Sequence, residues 1–359
     1  MQHFLMYFMG ISAFATVLYI LLQSSSLASD EGKIMQTGKI PLHIVVVSCG
    51  NRLQEALVVI KSALLFNTNK EYLKFLIFTE NTDKFREKLT DWKDLVPYPF
   101  DFELLQLKFP KQNEVKWKNL FQPCAAQRLF LPSLLTNVDS LLYVDTDVLF
   151  LSPISNVWTF FKKFNETQMA AMTPEHESGS ENIGWYNRFA LHPFYGKLGI
   201  NSGVMLMNLT RMREFNWENQ ILPIYKEYKS RIPWGDQDII NILFHYHPDK
   251  LYVMPCEYNY RTGHCMYTRV CNTSHLGIKL MHGNRHIFHN DNFPLFKTVY
   301  EIIENYTLGS NPYTNFLLPL RRGLNQESVV NSSCGMISSD VLKISSTLFD
   351  DLSEDLYEK

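Results

Sequence analysis

Two rhythms of apolar and polar positions run through the middle of this chain. Short β-branched or aromatic runs read as buried strands: Ile44–Val47, Phe75–Phe78, Phe102–Leu107, Leu141–Val144, Val204–Leu209 and Leu251–Met254. Between them, apolar residues recur every three or four positions. That spacing predicts helices over Glu55–Phe66, Asp83–Leu89, Cys124–Leu135 and Asp238–His245, with Pro132 interrupting the third and Gly235 preceding the fourth. Alternating strands and helices predict one α/β domain with a mostly parallel mixed sheet covered on both faces. Ligands of such sheets bind at the carboxyl ends of the strands. No internal repeat is visible.

The two ends differ from the middle. Phe4–Leu22 carries no charge over 19 residues. As a helix it would extend ~28 Å, the thickness of a bilayer core. It is longer than the apolar part of a secretory signal, so it is read as an uncleaved transmembrane anchor, although Ser26-Leu27-Ala28 also offers a cleavage site. Residues 1–3 are then a short cytoplasmic end and 23–40 a Ser-rich stem. Lys33 and Lys39 follow the run and no Lys or Arg precedes it, which argues slightly against a cytoplasmic N-terminus. The expected arrangement is single-pass type II in the Golgi or endoplasmic reticulum membrane, with the body in the lumen. The body spans 41–309. Residues 310–359, where the pattern weakens, read as a partly disordered extension with no recognisable chemistry.

Composition narrows the function classes. Of 359 residues, 46% are apolar and 14% aromatic, enough for a large core and unlike a disordered chain. Lys+Arg is 34 against 36 Asp+Glu, so the near-neutral chain carries no electrostatic footprint for nucleic acid. Asn165, Asn208, Asn272, Asn305 and Asn331 each open an Asn-X-Ser/Thr triplet. Asn208 sits in an apolar run and is discounted as buried; the other four suit a lumenal chain. At least one bridge is expected among Cys256, Cys265 and Cys271. Cys49, beside a strand, reads as an ordinary buried thiol.

The most informative stretch is Leu141-Leu-Tyr-Val-Asp145-Thr-Asp147-Val-Leu-Phe150. Two carboxylates two residues apart leave the end of a buried strand on the same side of an extended backbone. That arrangement suits a hard divalent cation. The bland alternative is a pair capping a turn. A phosphotransferase with the first Asp as nucleophile is disfavoured, because at least two strand–helix units precede the pair. Further stretches follow in order: Gln127-Arg128-Leu129 upstream, then Asn201-Ser202-Gly203-Val-Met-Leu-Met-Asn208, Trp234-Gly-Asp236-Gln237-Asp238-Ile-Ile-Asn241, and Lys279-Leu-Met-His282-Gly283-Asn284.

Together and in this order these motifs resemble glycosyltransferase family eight from about Pro41 to Asn305, with the glucoside xylosyltransferases the nearest likeness. The resemblance implies a single Rossmann-like, GT-A type domain and a retaining transfer of α-xylose from UDP-xylose. The acceptor would be O-linked glucose on the EGF-like repeats of Notch-type glycoproteins. It implies Mn²⁺ held by Asp145, Asp147 and His282, with His286 and His289 as substitutes for the last, because the family's Lys-Pro-Trp after Gly283 is missing here. It implies donor contacts from Arg128, Asn201, Ser202, Gly203, Trp234 and Gly283, and from Ser48, Cys49 and Gly50 at the end of the first strand. Asp236 would grip the sugar and Gln237 would lie under its anomeric carbon as the catalytic pair, with Asp238 structural. The alternatives are another UDP-hexose donor, or a non-catalytic lectin-like module.

Overall fold

The computed structural model describes residues 40–111, 114–120, 124–175, 184–266 and 270–356. The predicted anchor, and the predicted stem up to residue 39, lie outside these residues. Among the described residues no helix is long and apolar enough to cross a membrane.

Seven strands form one mixed sheet in the order β3-β2-β1-β4-β7-β6-β8. They are β1 (Leu42–Ser48), β2 (Leu73–Thr79), β3 (Phe100–Leu105), β4 (Ser140–Val144), β6 (Ala170–Pro174), β7 (Ile200–Asn208) and β8 (Leu251–Val253). Strands β3, β2, β1 and β4 run parallel, β7 is antiparallel to both β4 and β6, and β8 is parallel to β6. A second ribbon pairs β5 (Val148–Phe150) with β9 (Leu280–His282) in antiparallel register. The near-continuous apolar reading of β1 and β2 follows from burial on both faces.

One face packs Ile44, Val46, Phe75, Ile77, Leu142 and Val144 under helix Leu53–Leu65 and the helices after Phe293. The other packs Val45, Leu76, Phe78, Leu141 and Tyr143 under helices Trp217–Tyr228 and Asp236–Tyr246. Each fully buried aliphatic side chain contributes about 1.5–3 kcal/mol of transfer free energy. These layers hold the strand ends still.

The topology places the site. After β1 the chain moves outward to β2 and β3, then returns to the other side of β1 for β4. The carboxyl ends of β1 and β4 therefore flank a switch point, where a crevice opens. Pairing of Val144 with Val204 brings the start of β7 beside the end of β4. Pairing of Val148 with His282 lays β9 against the turn after β4.

Several elements differ from the sequence reading. Strand β7 starts at Ile200, so Asn201, Ser202 and Gly203 lie within it rather than before it. The predicted helix Cys124–Leu135 is a 3-10 turn, Ala125–Phe130, followed by a short helix, Leu131–Leu134. Pro132 stands in the first turn of that helix, where its missing N–H is harmless, and so does not interrupt it. Cys49 is not a free thiol: it bridges to Cys124. Cys256 pairs with Cys271, and Cys265 with Cys334, so all six cysteines are bonded. The stretch after residue 310 is no loose appendage. Helices Leu318–Leu324 and Ser338–Phe349 bury Leu320, Leu324, Val341 and Phe349 in the core of the first face, and the Cys265–Cys334 bridge fastens them. Asn208 is half-buried and accepts from the Arg211 N–H as a helix cap. Asn165, Asn272, Asn305 and Asn331 are exposed.

Candidate active site

A cavity of about 450 Å³ opens at the switch point. Its walls include Cys49, Gly50, Asn51 and Arg52 after β1, Asp145 and Asp147 after β4, and Glu175 after β6. Asn201 and Ser202 of β7, Trp234, Asp236, Gln237 and His282 complete it, with Asn284, Arg285 and His286 at the rim. Three predicted donor residues do not line it. Ser48 is fully buried within the sheet, Gly203 lies beneath His282, and Gly283 donates its N–H to the Asp147 carbonyl at 2.8 Å.

A charged network forms one wall. Arg128 is buried and held on three sides. It donates Nη2 to Asp145 Oδ1 at 2.7 Å and Nη1 to the Ser202 carbonyl at 2.6 Å, while Nε lies 2.6 Å from Asp236 Oδ2. Its guanidinium stacks 4.3 Å from the Tyr143 ring, whose hydroxyl also donates to Asp145 Oδ1. Burial works against the Arg128 charge, but Asp145 and Asp236 outweigh it and hold the guanidinium protonated. Burial pushes Asp236 up to about 6 against the pull of Arg128. Gly235 caps the helix at φ 55°, a conformation that favours glycine, and Asp236 is the first helical residue, facing Arg128.

A neutral chain of amides forms the opposite wall. The Gly203 N–H donates to Asn201 Oδ1 at 3.0 Å, which fixes that amide's orientation. Asn201 Nδ2 then faces Glu175 Oε2 at 2.7 Å, an acceptor-only carboxylate. Asn259 Nδ2 donates to Asn201 Oδ1 at 2.8 Å, so Asn259 Oδ1 faces His282 Nδ1 at 2.9 Å. A backbone N–H thus dictates, two amides away, that His282 carries its proton on Nδ1. Its Nε2 points at Asp147 Oδ1, 3.2 Å away, and Asp145 Oδ2, 3.9 Å away. The packing is close: a Cβ at position 203 would stand 2.2 Å from the His282 ring.

These three side chains fit a divalent cation. Their ligand atoms lie within 4.8 Å of one another. An imidazole nitrogen and two carboxylates this close need a proton or a metal between them. With a proton on Nε2, burial raises Asp147, but the hydrogen bond and charge of His282, aided by Arg52, outweigh it and hold the carboxyl below its usual range. With Nε2 bare, the second partner, Asn259, holds the ring as metal-ligating histidines are held. Oxygen and imidazole donors together suit Mn²⁺. Of the two substitutes, His286 sits at the rim and His289 binds Glu55 at 3.0 Å.

Gln237 Oε1 accepts from the Ser202 N–H at 3.1 Å, and its Nε2 lies 3.3 Å from the Tyr186 hydroxyl and 3.4 Å from Glu175. Asp238 stays behind the wall. It accepts from the Trp234 N–H at 2.7 Å and the Tyr186 hydroxyl at 3.0 Å, and pairs with buried His192.

The matching family model covers residues 43–282 and describes glycosyl transferase family 8. The chain belongs to that family. It is 47% identical to glucoside xylosyltransferase 2 of Xenopus laevis over 316 residues, covering 84% of this chain and 73% of that protein. It is 45% identical to human glucoside xylosyltransferase 1 over 84% of this chain and 70% of the relative. Among solved structures, mouse xyloside xylosyltransferase 1 in its apo form superposes with a TM-score of 0.52 at 18% identity, covering 69% of this chain and 99% of that one. The galactosyltransferase LgtC with donor and acceptor analogues gives 0.50 at 17%, over 67% and 86%. These two likenesses establish the GT-A-like fold.

The site residues that sequence reasoning missed are Asn51, Arg52, Tyr143, Glu175 and Asn259. Tyr143 lay inside the quoted strand, and its place two residues before Asp145 was a usable signal. Asn51 and Arg52 directly follow the named Ser48-Cys49-Gly50 turn, whereas Glu175 and Asn259 had no signal because they arrive from separate loops.

Proposed function

We propose that this family 8 enzyme is a glucoside xylosyltransferase. It moves xylose from UDP-xylose, with retention, in α linkage onto O-linked glucose of EGF-like repeats in secretory glycoproteins. The observation that carries the reading is one cavity in which Asp145, Asp147 and His282 face Asp236 and Gln237, in a chain 45–48% identical to glucoside xylosyltransferases. The three disulfides fit a lumenal domain. Membrane attachment through residues 4–22, as a type II protein of the Golgi or endoplasmic reticulum, belongs to the same proposal.

A Mn²⁺ ion on Asp145, Asp147 and His282 would bind the UDP diphosphate and offset the charge that develops on it. Arg128 holds Asp145 Oδ1 and Asp236 apart from each other, so that Asp145 Oδ2 stays turned toward His282 and Asp236 toward the sugar. Gln237 is a poor nucleophile, and its carbonyl already accepts from Ser202. Its role is electrostatic: the amide oxygen faces the positive charge that builds on the sugar as the bond to phosphate breaks. Retention then follows a front-face route. The acceptor hydroxyl bonds to the anomeric carbon on the side the phosphate leaves, and its proton passes to the departing phosphate oxygen. Arg52, set beside Thr146 by Glu55, adds a cation at the nucleotide end.

Trp234 closes the pocket where glucose would place its hydroxymethyl group. Its backbone N–H donates to the Asp238 carboxylate, and its ring stacks on Trp185 at 4.1 Å. A donor screen on a glucosylated EGF-like module, with and without chelator, tests the whole reading. The expected result is xylose transfer that EDTA abolishes and Mn²⁺ restores. Transfer from another UDP-sugar alone would overturn the donor assignment, and Trp234→Gly still rejecting UDP-glucose as strongly would remove Trp234 from it.

A further inference from the structure

A row of rings leads from the donor cavity to the outer surface. Arg285, at the cavity rim, lies 5.1 Å over Trp234. Trp234 stacks on Trp185 at 4.1 Å, and Trp185 reaches Phe189 at 6.3 Å. Arg188 caps Phe189 at 4.9 Å. At the inner end, half-buried Trp234 lines the site together with exposed Arg285, and half-buried Trp185 packs behind Trp234. At the outer end Phe189 is 54% exposed and Leu191, two residues on, is 71% exposed.

Singly exposed apolar side chains are ordinary on a protein surface, and what sets these two apart is the row of rings that joins their segment to the catalytic cavity. That continuity says what they are placed to meet. If the acceptor sugar enters the site, the polypeptide carrying it can stand no farther off than one sugar ring and its linkage. On the side of the cavity that Trp234 closes, the next surface outward is Trp185 and the residues that follow it.

We propose that Phe189 and Leu191 form the docking surface for the polypeptide of the glycosylated acceptor, with Trp185 as the platform between protein and sugar. The proposal rests on the glucosyl-acceptor reading above. It makes the enzyme a reader of a folded protein module rather than of glucose alone. Apolar anchors at an interface commonly carry most of the binding energy, while polar neighbours exclude water.

The test compares two acceptors with the full chain and UDP-xylose: a folded glucosylated EGF-like module, and a small aryl β-glucoside. In F189S/L191S, kcat/KM for the module should fall about tenfold or more, chiefly through KM, as loss of two anchors implies. Turnover of the small glucoside should stay within about twofold, which also reports that the variant is folded. Phe189→Tyr should retain most of the module activity. Unchanged kinetics on the module, or an equal fall on both acceptors, would overturn the docking surface. A parent chain that xylosylates neither acceptor would instead sink the functional reading, and the docking surface with it.

Discussion

Two polar networks meet at the same cavity and solve different problems. The Arg128 network is ionic: one guanidinium sits between Asp145 and Asp236, both within 2.7 Å. The Asn201–Asn259 network is neutral: amides pass orientation from a backbone N–H to an imidazole without moving charge. The ionic one sets where negative charge is spent and where it remains. One cation against Asp145, Asp147 and Asp236 leaves the trio side anionic, ready for a divalent ion. The neutral one sets which nitrogen of His282 faces that charge. A buried ion pair is energetically ambiguous while both partners stand, and costly when one is removed. A buried amide relay adds less but is more exacting in direction.

The sharpest way to break this contrast is to remove charge from the cation site. Asp147→Asn keeps the shape and loses a ligand charge. Xylosyl transfer should fall by roughly three orders of magnitude, since metal stabilisation of the leaving group amounts to several kcal/mol. Thermal stability should change far less. Retained, chelator-insensitive transfer would exclude the metal assignment.

Arg128→Met tests the ionic wall itself. It leaves Asp145 and Asp236 facing each other without a cation, and Arg128 and Asp236 are only 5% and 2% exposed. The loss should be about 3–5 kcal/mol of folding stability, read by denaturant unfolding. Adding Asp236→Asn should recover part of it. Additive losses in that double variant would mean that the two residues are not coupled.

The amide relay should be weaker and more selective. Asn259→Leu removes the acceptor behind His282 Nδ1, and Mn²⁺ affinity should drop ~10–100-fold by titration calorimetry. Asn259→Asp keeps an acceptor for His282 but sets its second oxygen against Asn201 Oδ1, so it should bind the ion better than the Leu variant and less well than the parent. If Leu and Asp behave alike, the tautomer is not set through this residue.

The ionic wall was far more legible in the sequence than the relay. Asp145 and Asp147 follow a strand whose apolar run announces itself, so their shared face could be read locally. Asp236 and Gln237 were tied to a helix start, again a local signal. Asn259 and His282 meet because β9 pairs over three residues with β5 while His282 N–H donates to the Tyr260 carbonyl. So short a strand leaves no period to read. Glu175 follows β6, a strand of small and apolar residues that the pattern did not reveal. The Cys49–Cys124 bridge spans 75 residues and forms only because the end of β1 and the turn before β4 line one crevice. The region after residue 310 was misjudged because Leu318–Leu324 is only two turns long, and because the buried face of Ser338–Phe349 mixes Asp340 and Ser345 with Val341, Ile344 and Phe349, which blurs its period.

The smallest effect concerns a carboxylate with a partner that titrates, unlike Arg128. His192 Nε2 lies 3.4 Å from Asp238 Oδ1, and its Nδ1 donates to the Pro193 carbonyl at 2.8 Å. Burial alone would lower the His192 pKa; the Asp238 and Pro193 contacts outweigh it and raise it above the usual histidine value. A histidine raised on folding adds stability that is complete below its unfolded pKa and fades as pH rises through the folded one. The parent chain should therefore lose a little more stability between pH 6 and pH 8 than His192→Gln does, by about 1 kcal/mol or less. Arg128, charged throughout that range, should give no such slope. Denaturant midpoints measured at both pH values decide it: equal slopes for parent and variant would mean that the Asp238 carboxylate holds Trp234 without help from the His192 charge.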